Sequence, residues 1–455
     1  IIVYEWKHDE FKSQYIMKKI ISVFLLFFVA YSSFAQRPME KLDRSVVAQE
    51  VSNGVYVNWR INSDELYNTA FKLYRDGSLI YTTTTSGASN YLDASGTTSS
   101  KYTVSAVKNG IESAQSAQGM LISKPYLEIP MKKVKPGYIL NDATAADLDG
   151  DGQYEIIVKR LITDFTVAND TAFSYFEAYK LDGTFLWEIN VGPNILSSSG
   201  VEINIAAYDF DGDGKAEVFM RTSEGTIFGD GTAIGDTNGD GKTNYRYSVV
   251  QSANMEYMNE GPEFLSLIDG MTGKELDRAN FIPRGSSSDW GDSYGHRANK
   301  FFFGAPYLDG LHPSLFIGRG IYTQTKMQTY DVVNKKLVKK WYWECTSSST
   351  MQQGKNDDSP KYYFGQGYHN YTVADVDEDG KDEICWGSMA IDDDGKPLYS
   401  TGLGHGDAQH YGDFDPYRKG QEAFACNETS PGTNLRDAKN GKILYRSLAS
   451  SDVGR

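Results

Sequence analysis

The sequence has little cysteine, no long apolar span and fewer basic than acidic residues. Its three cysteines, Cys345, Cys385 and Cys426, show neither disulfide nor metal-ligand spacing, so disulfides do not hold the fold. The formal net charge of -15 excludes nucleic acid as an expected partner, because such a surface repels a polyanion. No zinc, phosphate-loop, dinucleotide or Ser-His-Asp signature is recognisable. The 44 Gly and 31 Tyr are abundant instead, and they favour an all-β fold of short strands and turns.

One apolar stretch near the N-terminus has the form of a secretory signal. Met17-Lys18-Lys19 precedes apolar residues 20–30, and Ser33-Phe34-Ala35 is a small-x-small cleavage site. The apolar run is too short for a membrane span. We therefore expect residues 1–35 to comprise upstream residues and a signal peptide. The mature chain is expected to be periplasmic, at the cell surface or secreted.

Residues 37–124 predict a β-sandwich similar to a fibronectin type III module. Alternating apolar residues at 55–59 and 101–107 and the strand and turn at 71–77 carry this interpretation. Trp59 and Tyr102 are expected in its core. No chemistry-bearing motif lies in this part of the chain.

Three later segments repeat one spacing of oxygen-bearing side chains. Each has acidic residues at loop positions 1, 3, 5 and 9 and a Gly at position 6, which suits calcium. An EF-hand would need a Glu at position 12 and flanking helices, whereas apolar, strand-like runs follow these loops. The alternative is a merely acidic turn. The candidate ligands, position 7 included, are Asp147, Asp149, Asp151, Gln153 and Glu155; Asp209, Asp211, Asp213, Lys215 and Glu217; and Asp375, Asp377, Asp379, Lys381 and Glu383.

Two further segments keep weaker versions of the spacing. The first has amides at two ligand positions, and a plain Gly/Asn/Asp loop is an equal alternative. The second is degenerate, and Tyr417 stands where a third acid is expected. His369, upstream of Asp375, and His405, upstream of Asp413, are candidate ligands, structural residues or general bases. The candidate ligands are Asp142; Asp236, Asn238, Asp240, Lys242 and Asn244; His369; and His405, Asp407, Asp413, Asp415 and Glu422.

A second repeat alternates with the acidic loops. Residues 176–187, 264–276, 327–337 and 435–445 each predict a strand, a turn and a second strand. Acidic loops that alternate with such hairpins are typical of β-propeller blades, and irregular spacing places long insertions between them. Since a propeller must close, we expect residues 125–455 to be an incomplete propeller from a longer protein.

The residues resemble a known family, the rhamnogalacturonan lyases of polysaccharide lyase family 11. The similarity rests on segments 37–48, 54–60, 208–217, 261–265, 290–295, 401–408 and 435–441, and on Asn141-Asp142. The resemblance implies an eight-bladed, calcium-loaded propeller that binds several Ca²⁺ ions and a pectic polysaccharide, rhamnogalacturonan I. A monomer is expected. The resemblance also implies cleavage of the rhamnose–galacturonic acid backbone by β-elimination.

The resemblance assigns two residues as well. Asn141 corresponds to a substrate contact, and Arg436 corresponds to a catalytic residue near the eliminated bond; a turn-capping ion pair is the alternative for Arg436. One departure stands out: relatives have a Trp-Asp-like pair where this chain has Arg160-Leu161. That difference leaves a non-catalytic carbohydrate-binding propeller as the alternative function, with an adhesion-type propeller as a third hypothesis.

Overall fold

The structure is a computed structural model, and it describes residues 40–452 except 66, 86, 132–136, 163–172, 197–203, 253–254 and 357–359. The predicted signal segment lies outside the described residues. The chain is nearly all β, as the composition predicts, and its helical turns in the described part are short 3₁₀ segments at Ser63–Glu65, Arg246–Ser248 and Ser287–Trp290. No helix there is long and apolar enough to cross a membrane.

The first part of the chain forms two four-stranded sheets, ordered β5-β2-β1-β8 and β4-β3-β6-β7. Alternate residues of their strands face one shared core, which contains Trp59 and Tyr102 as predicted. The Tyr102 hydroxyl donates to Asp93 Oδ2 at 2.9 Å, so its polar end is satisfied inside that core. The strands are β1 Val47–Val51, β2 Gly54–Asn58, β3 Thr69–Arg75, β4 Ser78–Thr82, β5 Asn90–Asp93, β6 Tyr102–Lys108, β7 Ile111–Glu112 and β8 Met120–Ile122.

Five four-stranded antiparallel sheets follow, and we number them sheets 1 to 5. Their strands are β9 Tyr138–Ala146, β10 Glu155–Ile162, β11 Tyr175–Tyr179 and β12 Phe185–Asn190; β13 Ile205–Tyr208, β14 Glu217–Thr222, β17 Phe264–Asp269 and β18 Glu275–Asn280; β19 Phe301–Gly304, β20 Leu315–Arg319, β21 Thr325–Val333 and β22 Lys336–Cys345; β25 Thr372–Ala374, β26 Glu383–Trp386, β27 Met389–Ile391 and β28 Pro397–Ser400; and β29 Gln409–Gly412, β30 Glu422–Asn427, β31 Gly432–Asp437 and β32 Ile443–Leu448. Two small hairpins, β15 Val250–Ser252 with β16 Met255–Tyr257 and β23 Met351–Gln352 with β24 Lys361–Tyr362, lie in the connections.

Neighbouring sheets pack through apolar faces. Separate buried clusters join sheet 1 to sheet 2, sheet 2 to sheet 3, sheet 3 to sheet 4 and sheet 4 to sheet 5. The first strands of successive sheets also touch, β9 with β13, β13 with β19 and β25 with β29. The four hairpins predicted from the second repeat are confirmed as the third and fourth strands of sheets 1, 2, 3 and 5.

The antiparallel order divides the connections between two ends of the sheets. The loop from the first to the second strand lies at one end, which we call the acidic end. The connection from the second to the third strand, and the link to the next sheet, lie at the other end, which we call the insertion end. The long segment 223–263 of sheet 2 belongs to the insertion end. The three cysteines are free, as predicted.

Candidate functional site

The three acidic loops share one hydrogen-bonded frame at the acidic end. In loop 209–217, Asp209 accepts the backbone N–H groups of Gly212 and Gly214 at 2.8 and 2.9 Å. Glu217, the first residue of β14, turns back and accepts the N–H of Phe210 at 3.0 Å. Loop 147–155 repeats the frame, with Glu155 accepting from Leu148. Loop 375–383 differs only in that Asp375 accepts the N–H groups of Asp379 and Gly380, and its Glu383 accepts from Val376. The frame aims the carboxylates at one centre.

Each frame gathers carboxylates around a buried glutamate. Oxygen atoms of positions 1, 3 and 9 lie within 4.8 Å of one another in all three loops. Burial, and then the neighbouring aspartates, raise the pKa of Glu217 and of Glu383 to about 8. Burial likewise raises the pKa of Glu155 to about 7. Glu383 Oε1 is buried and accepts no hydrogen bond from the described residues. A cation that prefers oxygen ligands, such as calcium, fits these carboxylate clusters.

Position 7 contributes differently from the acidic positions. In a calcium loop of this spacing, that residue ligates through its backbone carbonyl. The ammonium groups of Lys215 and Lys381 therefore cannot be ligands, and Lys381 Nζ instead lies 3.0 Å from Asp393 Oδ2. Lys180 contacts Asp149 in the same way. The sequence did not predict that Lys180 or Asp393 would contact an acidic loop, because each comes from the turn between the third and fourth strands of its sheet.

The loops of neighbouring sheets touch one another. The N–H of Ala216 donates to the Asp147 carbonyl at 2.8 Å, and Gln421 Nε2 donates to the Asp375 carbonyl at 3.1 Å. Loop 147–155 is thus joined to loop 209–217, and loop 375–383 to loop 413–422. Ordering one loop of a joined pair therefore constrains the other.

The two weaker loops differ from each other. In loop 236–244, Asp236 accepts the N–H groups of Gly239 and Gly241 at 2.7 and 2.8 Å, so its frame matches that of the three strong loops. Asn238 and Asp240 accept N–H groups two residues on, as in those loops. Asn244, however, accepts the N–H of Arg246 and does not turn back into the loop.

In loop 413–422 an arginine contacts the acidic residues. Arg418 Nε donates to Glu422 Oε1 at 3.2 Å, and its other end donates to Asp437 at 3.0 Å. Among the described residues, Asp413, Asp415 and Glu422 do not form a ligand cluster, unlike their counterparts. The metal assignment of this loop stays a prediction, and in this structure the guanidinium of Arg418 lies against its acidic residues.

Histidines and tyrosines from several connections meet at the insertion end. The Tyr322 hydroxyl lies 3.0 Å from His369 Nε2, and the Tyr322 ring lies 4.5 Å from the ring of His405. His405 Nδ1 lies 2.5 Å from the Gly367 carbonyl and must donate to it, which leaves Nε2 as an acceptor. Burial lowers the pKa of His405, and that of His296 to about 4, so both rings are neutral near pH 7.

Carboxylates lie beside two of these histidines. Asp407 lies 3.8 Å from His369 Nε2, and Glu428 lies 3.7 Å from His405 Nε2. Asp407, Glu428 and Asp452 also bring oxygens within 4.8 Å of one another. The structure thus brings the predicted His369, His405 and Asp407 together, and it adds Glu428 and Asp452 from sheet 5 and its following turn. A mixed imidazole and carboxylate set can hold a divalent cation.

The predicted substrate contact lies on the first strand of sheet 1. A register shift between Val158 and Arg160 leaves Asn141 and Asp142 together opposite Lys159, and both are exposed. Lys159 Nζ lies 3.0 Å from Asp142 Oδ2, so this acid has a lysine partner. Arg160 is buried and donates to Glu177 Oε2 at 2.9 Å.

Arg436 is wholly buried in sheet 5. Its guanidinium donates to the Gly387 carbonyl at 2.6 Å and to the Tyr411 hydroxyl at 3.1 Å. The turn-capping ion pair is not what holds it, because these partners are neutral. The catalytic role implied by the resemblance stays a prediction, and in this conformation the side chain does not face solvent.

Similarity to known proteins runs along nearly the whole chain. Residues 118–455 match the family model "Rhamnogalacturonan lyase family 11, C-terminal domain", and residues 37–121 match "Rhamnogalacturonan I lyases beta-sheet domain". The chain is a member of rhamnogalacturonan lyase family 11.

Individual family 11 relatives agree. The chain is 44% identical over 437 residues to the rhamnogalacturonan endolyase YesW of Bacillus subtilis, covering 92% of this chain and 67% of the relative. It is 43% identical over 439 residues to the exolyase YesX of the same organism, covering 92% and 68%. The crystal structure of YesW superposes with a TM-score of 0.79 at 43% identity, covering 92% of this chain and 71% of that chain.

Proposed function

We propose that this family 11 chain cleaves the rhamnose–galacturonic acid backbone of rhamnogalacturonan I by β-elimination, with calcium bound. The observation that carries the proposal is the 44% identity to an endolyase across 92% of the chain.

The chemistry has specific demands. A base removes the C5 proton of the uronate, the bond between C4 and the glycosidic oxygen breaks, and a C4–C5 double bond forms. The departing oxygen gains a proton, so atoms and charge balance. Because the C5 proton is weakly acidic, the adjacent carboxylate must be neutralised as negative charge develops. Bound calcium would neutralise this carboxylate. It would also reduce the electrostatic repulsion between an acidic protein and an acidic polysaccharide.

We place the reaction at the insertion end. Neutral imidazoles and tyrosine hydroxyls gather there, and the hydrogen bond between Tyr322 and His369 can hold or pass a proton. Asn141 is assigned to orient the sugar from sheet 1. Arg436 is assigned near the eliminated bond by the resemblance, and this role requires its side chain to leave the buried position on Gly387 and Tyr411. The acidic loops are assigned a structural role, because with calcium they hold sheets 1, 2 and 4 in register.

Two finer features complete the proposal. The five sheets are proposed to belong to an eight-bladed propeller, because consecutive four-stranded antiparallel sheets with touching first strands are its building units. The apolar segment at 20–30 and the site before Gln36 support secretion.

The activity is tested by incubating the protein with rhamnogalacturonan I and calcium and following the ultraviolet absorbance of unsaturated uronates. We expect unsaturated product to form in calcium, and we expect chelation of calcium to abolish its formation. Retained polysaccharide binding without unsaturated product would contradict the lyase proposal and favour the non-catalytic alternative.

The proposed location of the reaction at the insertion end is tested with Tyr322→Phe. Tyr362→Phe, at an exposed tyrosine, serves as the control. We expect kcat to fall by on the order of a hundredfold for Tyr322→Phe alone, with Tm unchanged. An unchanged kcat would move the reaction away from the insertion end and leave the lyase activity itself standing.

A further inference from the structure

The buried Arg436 has no acidic partner in the part of the chain that the structure describes. Its guanidinium contacts two side-chain amides, one backbone carbonyl and one hydroxyl, and its Nε is buried without a hydrogen-bond partner there. A buried charge without a counter-charge is costly. Elsewhere the protein avoids this cost, since the buried Arg221 and Arg319 pair with Glu263 at 2.9 and 2.7 Å. Arg436 therefore keeps a positive charge that the protein neutralises at other buried arginines.

Two amides lie where carboxylates would neutralise this arginine. Arg436 Nη1 donates to Asn434 Oδ1 at 3.2 Å, and Nη2 donates to Gln409 Oε1 at 3.4 Å. Both amide side chains are buried. Asn and Gln have nearly the shapes of Asp and Glu, so each position could hold an acid of the same size. Each position instead holds a neutral group.

Further hydrogen bonds fix the orientation of each amide. Gln409 Nε2 donates to the Cys385 carbonyl at 2.6 Å, which turns Gln409 Oε1 toward Arg436. Asn434 Nδ2 donates to Asn427 Oδ1 at 2.8 Å, which turns Asn434 Oδ1 toward the same guanidinium. Both amides thus accept hydrogen bonds from Arg436 without carrying a full negative charge.

The contacts of Asn434 continue to the link between sheets 4 and 5. Asn427 Nδ2 donates to Ser388 Oγ at 3.2 Å, and the Ser388 hydroxyl donates to the Gly404 carbonyl at 2.8 Å. Gly404 directly precedes His405, a member of the histidine and tyrosine cluster. A continuous chain of neutral hydrogen-bonding groups therefore joins Arg436 to the segment that carries His405.

We propose that Asn434 and Gln409 are positioning residues, which hold Arg436 by neutral contacts so that its charge stays available to the galacturonate. The inference rests on the proposed β-elimination and on the role assigned to Arg436 in it. An arginine held by a carboxylate would already be neutralised, and it would have to break a buried ion pair before it could reach the sugar. Neutral contacts can be exchanged for the anionic sugar without that cost.

Asn434→Asp tests this directly, because it adds a charge with almost no change of shape. The new carboxylate would lie against Arg436 Nη1, and Asn427 could turn its amide nitrogen toward it. The Tyr368 hydroxyl, which now accepts from Asn427 Nδ2 at 2.5 Å, could then donate to the Asn427 oxygen. The polar groups of the variant would all have partners, so we expect it to fold.

Two further variants separate charge from structure. Asn434→Ala removes the contact with Arg436 and adds no charge. Asn440→Asp is the matched control, since it makes the same change in the outer turn of sheet 5. There the Asn440 oxygen accepts the N–H of Lys442 at 2.9 Å, and an aspartate can accept it equally well. The measurements are kcat and KM on rhamnogalacturonan I in calcium, and Tm of each variant.

We expect Asn434→Asp to lower kcat by on the order of a hundredfold and to leave KM within about threefold, because the neutralised arginine no longer stabilises the charge that develops on the uronate. Its Tm should equal or exceed that of the parent chain. Asn434→Ala should have a lower Tm but a higher kcat than Asn434→Asp, because its guanidinium keeps its charge. A purely structural role for Asn434 would not put stability and activity in opposite order. Asn440→Asp should match the parent chain in both.

Parent-like kcat in Asn434→Asp would overturn the inference, as would an Asn434→Ala variant whose kcat falls as far as that of Asn434→Asp. Should Asn434→Asp fail to fold, Gln409→Glu places a carboxylate against Nη2 of the same guanidinium, and parent-like kcat there would also overturn it. A parent chain that forms no unsaturated product would instead defeat the proposed function itself, and the inference with it.

Discussion

Loop 209–217 of sheet 2 and loop 413–422 of sheet 5 occupy the same place between a first and a second strand. In both, a buried glutamate at the start of the second strand turns back and accepts the N–H of position 2, from Phe210 or from Phe414. The two loops differ in the charged groups that lie next to this glutamate. Glu217 faces other carboxylates, whereas Glu422 meets the guanidinium of Arg418 at 3.2 Å.

This difference identifies the part of the frame at which a bound cation would act. The backbone turn and the back-folded glutamate are common to both loops, so they do not themselves require calcium. Carboxylates that accumulate around a buried glutamate with no arginine against it are the feature that the proposed calcium would neutralise. Sheet 5 has a cation of the chain itself in its loop, and the proposed calcium would take the same place in sheets 1, 2 and 4.

Removing calcium from the whole protein should have the largest effect on stability. Each site that is saturated at a hundred times its Kd contributes about 2.7 kcal/mol, and several such sites act together. Differential scanning calorimetry in calcium and in chelator should show a much lower Tm without the ion. Equal melting curves in the two conditions would contradict the proposed dependence.

Asp211→Asn should remove the contribution of one site. In saturating calcium we expect a loss of up to about 2.7 kcal/mol, because the variant lacks one charged ligand. In chelator the sign should reverse, since one fewer charge then repels the ionised Asp209. Tm of the variant and of the parent chain, each measured in both conditions, checks this. A variant that is destabilised equally with and without calcium would show that Asp211 acts through packing instead.

Arg418→Gln should destabilise the protein by about 1–2 kcal/mol whether or not calcium is present. The change leaves the buried Glu422 without its charged partner, although the partial exposure of Arg418 moderates the cost. Chemical denaturation in calcium and in chelator measures the difference. Lys419→Gln, at the neighbouring and more exposed residue, is the control and should leave Tm unchanged. A loss for Arg418→Gln that appears only in chelator would mean that the loop binds calcium after all.

The sequence was informative where the physics is local. The spacing from Asp209 to Glu217 predicts a loop because alternate side chains point to one centre, and the four hairpins follow from turn residues between apolar runs. Partners that arrive from elsewhere in the chain could not be predicted. Arg418 lies against the acidic residues of its loop, and Glu428 joins histidines from sheet links only after the sheets have packed.

Lys180→Met should have the smallest effect, and it tests an intermediate case between the two loops. Lys180 comes from the turn between the third and fourth strands of sheet 1, and its ammonium contacts Asp149 inside loop 147–155. Lys180 thus places a positive charge against an acidic loop, as Arg418 does, but we expect calcium to displace it. Its removal should change stability in chelator by less than about 1 kcal/mol, because the pair is partly exposed. Calcium should then bind loop 147–155 more tightly, since no ammonium competes for Asp149, and calorimetric titration would detect the change. Weaker calcium binding in Lys180→Met would show instead that the lysine orients Asp149 for the ion. The cationic side chain would then assist ion binding in loop 147–155, whereas in loop 413–422 it would take the place of the ion.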